Sequence, residues 1–121
     1  MDRRGALGRA GEQAAERWYI AAGYEVLDRN WRGAAGEIDL VALAPDGCVV
    51  ICEVKTRSSG AFGYAAEAVT PSKQRRLRRL AATWLAEHRS LGHRRRPVRF
   101  DVAAIDGAGD DLVVEVVPDA F

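Results

Sequence analysis

The amino-acid sequence predicts a single α/β domain, in which a mixed β-sheet of about five strands is flanked by helices in the order α-β-β-β-α-β-β. Three observations support this fold class. Small and apolar residues recur at helical spacing early in the chain, β-rich runs follow, and a second helix separates these runs from two more. A chain of 121 residues can bury a core as one domain, residues 1–121, but is too short for a two-domain enzyme.

The first helix is predicted from residues spaced three and four apart, and it ends at a glycine. The spacing is carried by Leu7, Gly11, Ala14, Ala15, Trp18 and Ala22. Trp18 is therefore expected in the core. Gly23 is the predicted C-cap, because glycine readily adopts the left-handed conformation that ends many helices. Residues 24–27 are predicted as the first strand.

A β-hairpin is predicted for the next two strands. Residues 37–44 and 47–56 are β-rich, and the turn signal Pro45-Asp46-Gly47 lies between them. The stretch 57–64 contains serines and glycines and is predicted as a loop.

The second helix begins at a clear capping signal. Thr70 is the predicted N-cap, and Pro71 occupies the first helical position, where proline is favoured. Arg75 and Arg79 point away from the apolar stripe of this helix, which consists of Leu77, Leu80, Ala81, Trp84 and Leu85. Residues 98–105 and 112–117 are predicted as the last two strands.

Charge is distributed unevenly, although the net charge is only +1. The segment from Lys73 to Arg99 holds ten basic residues and one acidic residue, Glu87, which gives it a charge of +9. Such a block indicates a polyanionic partner such as DNA, or else a solvated helix face next to a charged loop.

Other features exclude some classes and compartments. The longest uncharged stretch, residues 58–66, is too short to span a membrane, and no apolar segment typical of a secretion signal follows the first residues. Cys48 and Cys52 are predicted as buried free thiols. We therefore expect a cytoplasmic protein.

The hairpin carries the candidate chemistry. If its turn centres on Asp46, residues whose numbers sum to 92 face one another, so Asp39 lies opposite Glu53 and Glu37 lies opposite Lys55. Opposed carboxylates repel each other, and a shared divalent cation such as Mg²⁺ or Mn²⁺ would relieve that repulsion. Lys55 would orient a water or steady a developing negative charge.

Plainer interpretations stay open for these residues. Glu37 and Lys55 form a simple cross-strand ion pair in one alternative, with Asp39 and Glu53 as surface carboxylates. Glu12, at the edge of the first helix's packed face, could reach the same site or be an exposed glutamate.

Two further residues have open roles. Lys73, near the start of its helix, could meet a phosphate or lie along the core. Asp101 stands between apolar strand neighbours, which favours a structural role over metal binding.

A set of motifs is distributed along the chain from about Gly8 to Val102. They are Gly8-x-x-Gly11-Glu12-x-x-Ala15, Gly23-Tyr24, Asn30-Trp31-Arg32, Gly36-Glu37-Ile38-Asp39-Leu40, Glu53-Val54-Lys55-Thr56-Arg57, Phe62-Gly63, Lys73 and Arg99-Phe100-Asp101. As a set they resemble the YraN-like family of small bacterial proteins. That family is identified as a predicted member of the PD-(D/E)xK nuclease superfamily and is similar to archaeal Holliday junction resolvases.

The resemblance implies a restriction-endonuclease-like fold and assigns a role to each of four residues. Asp39 matches the motif aspartate, Glu53 the second acid and Lys55 the lysine. Glu12 matches the glutamate of the first helix that assists the metal site in resolvases. The residue before the aspartate is Ile38 rather than proline, a departure common in the superfamily.

The implied activity is Mg²⁺- or Mn²⁺-dependent hydrolysis of DNA phosphodiester bonds, at branched or otherwise structured sites. Related resolvases act as dimers, so a homodimer is also implied. The residues expected to bind DNA phosphates are Lys73, Arg57, Arg75, Arg79, Arg94, Arg95 and Arg96. The alternatives are a non-catalytic nucleic-acid-binding module and a protein-interaction subunit that keeps the nuclease-like fold.

Overall fold

The computed structural model describes residues 3–57, 69–89, 96–107 and 111–121. Its elements are α1 (Arg3–Ala21), β1 (Glu25–Gly33), β2 (Gly36–Leu43), β3 (Val49–Arg57), α2 (Pro71–Glu87), β4 (Val98–Asp106) and β5 (Val113–Val117). This order confirms the predicted α-β-β-β-α-β-β arrangement of a mixed five-stranded sheet with two helices.

The strands lie in the sheet in chain order, β1-β2-β3-β4-β5. All neighbours are antiparallel except β3 and β4, which run parallel from Val49↔Val98 to Arg57↔Asp106. Parallel neighbours need a long crossover connection, and α2 lies in the chain between them. The crossover explains why a helix interrupts the β-rich sequence.

Each face of the sheet has its own apolar core. In the α1-side core, the helix contributes Ala14, Ala15 and Tyr19. In the α2-side core, α2 contributes Leu77, Leu80, Ala81 and Trp84. Alternate residues of β3 supply both cores, because successive side chains on a strand point to opposite faces. The strand is therefore buried on both sides, as its continuous apolar run indicates.

The apolar face of α1 is rotated relative to the prediction. Trp18, expected in the core, is 37% exposed, whereas Tyr19 is fully buried. The buried row runs through Gly11, Ala15 and Tyr19, one turn apart, and its small residues let the helix approach the sheet closely. The predicted cap at Gly23 is confirmed, with a φ of 90°.

The second helix begins as predicted. Thr70 is the N-cap, its hydroxyl oxygen accepts a hydrogen bond from the Lys73 backbone N–H at 3.2 Å, and Pro71 is the first helical residue. Within the described residues, neither helix is both long and apolar enough to cross a membrane.

The first strand is longer than predicted, because it continues from Glu25 to Gly33 through the polar stretch Asp28-Arg29-Asn30. It is an edge strand, and its mixed burial lets polar side chains face solvent. A register shift between Val26 and Asp28 further disguises the alternation.

Both cysteines are buried and free, as predicted. Burial raises the pKa of the Cys52 thiol. The thiol is therefore an apolar packing group rather than a nucleophile.

Candidate active site

The two strands of the predicted hairpin part where the candidate carboxylates begin. Their ladder has the predicted register over four pairs and ends at Leu40↔Cys52, one pair short of Asp39 and Glu53. The alternation of faces along β2 breaks at the same place, because Ile38 packs in the α2-side core and Leu40 in the α1-side core. The break opens a gap between β2 and β3.

Asp39 bridges this gap with its side chain. Its Oδ2 accepts a hydrogen bond from the backbone N–H of Val54 at 2.8 Å, where a strand carbonyl would otherwise serve. Burial, and then the negative charge of Glu53, raise the pKa of Asp39 to about 7. Smaller contributions from Glu12 and Glu37 act in the same direction. Asp39 is thus held among carboxylates that disfavour its ionisation.

Glu53 is the residue on which both lysines of the site converge. Its side chain is only 8% exposed, and its Oε1 lies 2.7 Å from the Lys73 Nζ and 3.8 Å from the Lys55 Nζ. Lys55 belongs to the same strand, two residues on, whereas Lys73 comes from the first turn of α2. The alternation of β3 places Glu53 on the α2 side of the sheet, which explains why this helix supplies its closest partner.

The two ammonium groups affect one another. Burial, together with the nearby charge of Lys73, lowers the pKa of Lys55. Burial lowers the pKa of Lys73, but its hydrogen bond to Glu53, its contact with Lys55 and the negative charges of Glu53 and Asp39 together outweigh that effect and raise it. Lys73 is therefore the firmly charged partner of Glu53, and Lys55 is the amine whose charged form is disfavoured.

Glu12 approaches the site from α1. A Cβ at Gly11 would collide with the hydroxyl of Thr56, so the helix rests directly on β3 at this point. Burial raises the pKa of Glu12, and the charges of Glu37 and Glu53 add to the effect. A hydrogen bond from the side chain of Asn30 opposes the rise.

Asn30 is a site residue whose role was not predicted from the sequence. It lies on β1 with a φ of 51°, a left-handed conformation that asparagine tolerates better than most residues. Its presence in the Asn30-Trp31-Arg32 motif was the only signal available, and its contact with Glu12 arises from tertiary packing.

The predicted pairing of Glu37 with Lys55 is wrong. Glu37 lies opposite Arg32 of β1, and its carboxylate is 3.9 Å from the Arg32 guanidinium. The reason is the early end of the β2–β3 ladder, beyond which β2 pairs with β1 alone. Lys55 instead turns to Glu53 on its own strand.

The donor chemistry of the site fits a hard divalent cation. Among the described residues, no three His, Cys, Asp or Glu side chains already form a chelating cluster. However, Asp39, Glu53 and Glu12 repel one another, and carboxylate oxygens are the ligands that Mg²⁺ and Mn²⁺ prefer. A cation among them would remove that repulsion, provided that Glu53 exchanged its contact with Lys73 for the ion.

The candidate DNA-binding residues are distributed over several elements. Arg75 and Arg79 are exposed on α2, as predicted. Arg96 is exposed and donates a hydrogen bond to the Gly47 carbonyl at 3.3 Å. Arg57 is the last residue of β3, and its side chain lies outside what the structure describes, as do residues 94 and 95.

Asp101 has the structural role that its apolar surroundings predict. It is fully buried and accepts hydrogen bonds from the Tyr19 hydroxyl at 2.7 Å, from the Arg99 guanidinium at 2.8 and 2.9 Å, and from the Asp119 backbone N–H at 3.0 Å. These donors account for its charge without a metal ion.

Comparison with known proteins places these residues in a family. Residues 11–105 match the family described as "Uncharacterised protein family UPF0102". A UPF0102 protein of Frankia casuarinae is 54% identical over 123 aligned residues, which cover 100% of both chains. A second, from Beutenbergia cavernae, is 55% identical over 87% of this chain and 86% of its own. The chain belongs to the UPF0102 family.

The family match covers the candidate site residues. It extends from Gly11 to Ile105 and so includes Glu12, Asp39, Glu53 and both lysines. UPF0102 is the YraN-like group that the motifs resemble, which confirms that resemblance.

Proposed function

We propose that this UPF0102 protein is a metal-dependent endonuclease that hydrolyses phosphodiester bonds in DNA, at branched or otherwise structured sites. The observation that carries the proposal is that Glu53 contacts two lysines while its charge and that of Glu12 raise the pKa of the neighbouring Asp39. Carboxylates buried beside one another serve no packing purpose, because burial and then their mutual repulsion disfavour the charged forms. Titratable groups perturbed in this way are typical of catalytic sites.

Each group has a distinct role in the proposed reaction. Asp39, Glu53 and Glu12 would hold Mg²⁺ or Mn²⁺, which when bound supplies Lewis acidity and offsets charge at the phosphate. Lys55, with its lowered pKa, would hold the attacking water or neutralise charge that develops on the phosphate oxygens. The hydrogen bond from Val54 would keep the Asp39 carboxylate oriented.

The exposed face of α2 would bind the flanking DNA backbone. Arg75 and Arg79 lie one turn apart on that face, within a segment of charge +9. Guanidinium groups bind phosphates well but read no base sequence when they do so, which suits an enzyme that recognises DNA structure. We place the protein in the cytoplasm, where its free thiols would stay reduced.

The test separates binding from cleavage. Labelled four-way junctions and linear duplexes of matched sequence are incubated with Mg²⁺, Mn²⁺ or EDTA, and both nicking and affinity are measured. Asp39→Asn keeps the acceptor for Val54 but removes the charge, so it should abolish nicking and leave affinity within a few-fold. Glu16→Gln is the matched control, because Glu16 lies one turn from Glu12 on α1 and pairs with Arg29 outside the site.

Each negative outcome points to a specific alternative. DNA binding without nicking in any metal would favour the non-catalytic binding module. Failure to bind any DNA would favour the protein-interaction subunit, whose basic face meets an acidic protein.

A further inference from the structure

The two lysines of this chain stand apart from its other cations. Of eighteen lysines and arginines, only Lys55 and Lys73 are lysines, and both contact Glu53. The other cations are arginines, whose planar guanidinium is suited to carboxylates and phosphates that accept paired hydrogen bonds. An ammonium is a compact point charge, closer in shape to a metal ion than a guanidinium is. The site therefore combines carboxylates with the side chains that best mimic a small cation.

The geometry at Glu53 makes one of these lysines a direct competitor of a divalent ion. Lys73 Nζ lies 2.7 Å from Glu53 Oε1, in the position of a bonded cation. A Mg²⁺ ion bound to the same oxygen would lie about 2.1 Å from it. The two positive charges would then be only a few ångströms apart in a half-buried site, where their repulsion is poorly screened.

We propose that Lys73 is an internal counter-ion of Glu53 that a divalent cation displaces, so that metal loading frees its ammonium to bind an anion at the mouth of the site. The proposal rests on the proposed function in that Glu53 binds a metal. It adds a regulatory coupling: without metal the charge of Glu53 is balanced by Lys73, and with metal a second phosphate-binding cation becomes available.

Lys73 can move without disturbing the fold. Its backbone N–H is held by the Thr70 cap, so only the flexible side chain needs to swing. The side chain is 25% exposed and therefore already borders solvent. Lys55 lies on β3 like Glu53, with its Nζ 3.8 Å from the same oxygen, and it can stay in place. Metal binding thus exchanges one partner of Glu53 while the other remains.

Calorimetric titration of the full chain with MnCl₂ tests the competition. Removing a competitor should tighten metal binding, so Lys73→Gln should bind Mn²⁺ roughly tenfold more tightly than the unaltered protein. Arg76→Gln is the matched control, because Arg76 is an exposed cation on the same helix and the change removes the same charge. It should change the affinity by less than about twofold. Equal or weaker Mn²⁺ binding by Lys73→Gln than by Arg76→Gln would overturn the proposal.

A second measurement needs no change at Lys73. Because the chain has only two lysines, ¹⁵N-lysine labelling yields two ammonium signals, which Lys55→Arg assigns. In the metal-free protein the Lys73 signal should be protected from solvent exchange by Glu53. Saturating Mg²⁺ should move this signal and speed its exchange with water. A Lys73 signal that stays protected in saturating Mg²⁺ would contradict displacement, even if Lys73→Gln did not fold.

The outcomes distinguish this proposal from the proposed function. Mn²⁺ binding that tightens in Lys73→Gln supports the displacement whether or not DNA is cut. Metal-dependent nicking combined with an unchanged affinity in Lys73→Gln would overturn the displacement alone. Absence of metal binding in both proteins would overturn both proposals.

Discussion

The metal-free protein should lose stability between pH 5 and pH 8, and Asp39 should account for most of that loss. The pKa of Asp39 is about 7 in the folded chain against 3.8 as the ordinary value. The folded state therefore holds the proton more tightly than the unfolded state. The stabilisation from this proton is complete below about pH 4 and disappears as the pH rises through 7.

The magnitude follows from the size of the shift. Three pKa units correspond to about 4 kcal/mol in total, of which about 2–3 kcal/mol falls between pH 5 and pH 8. For a domain of this size that change lowers the midpoint of thermal unfolding by roughly 10 °C. Asp39→Asn cannot ionise and keeps an oxygen for the Val54 N–H, so its stability should depend much less on pH over the same range.

The assay is urea unfolding in EDTA at a series of pH values, followed by tryptophan fluorescence, since Trp84 is fully buried in the core. The pKa of Glu12 is also raised, so some residual dependence should persist in Asp39→Asn. Saturating Mn²⁺ should flatten the profile of the unaltered protein and leave Asp39→Asn unchanged. Parallel profiles for the two proteins in EDTA would refute the assignment of the pH dependence to Asp39.

Three further predictions address the neighbouring groups. Lys55→Met should abolish nicking while DNA affinity, measured by fluorescence anisotropy, falls only a few-fold, since one cation among many is lost; nicking at the unaltered rate would exclude Lys55 from the reaction. Asn30→Gly keeps the left-handed backbone but removes the side-chain amide that is hydrogen-bonded to Glu12. Mn²⁺ affinity should therefore fall several-fold, with little change in melting temperature. An unchanged affinity would show that the amide does not position the Glu12 carboxylate. Replacing Arg75 and Arg79 together by glutamine should flatten the log–log salt dependence of DNA affinity by roughly one to two units, because fewer phosphate contacts form and fewer counterions are released on binding. An unaltered slope would show that the DNA does not contact this face of α2.

Signals between residues close in the chain were enough to predict the order of the elements and the register of the hairpin. Thr70 and Pro71 mark a helix start, and Gly23 marks a helix end, because capping depends on residues close in the chain. The turn around Asp46 aligns four pairs of β2 and β3 for the same reason. Periodicity likewise identified the apolar stripe of α2, because its large apolar side chains lie on one side of the helix and that side must face the core.

The assembly of the candidate site depends on tertiary packing, which local patterns do not reveal. The parting of β2 and β3 depends on which neighbour each strand keeps, so local pattern could not reveal that Asp39 bridges the gap or that Glu37 turns to Arg32. The contact between Lys73 and Glu53 requires the N-terminal turn of α2 to pack against the sheet beside Glu53. These contacts join residues far apart in sequence, and their formation depends on the packing of both helices against one sheet, which no short-range spacing encodes.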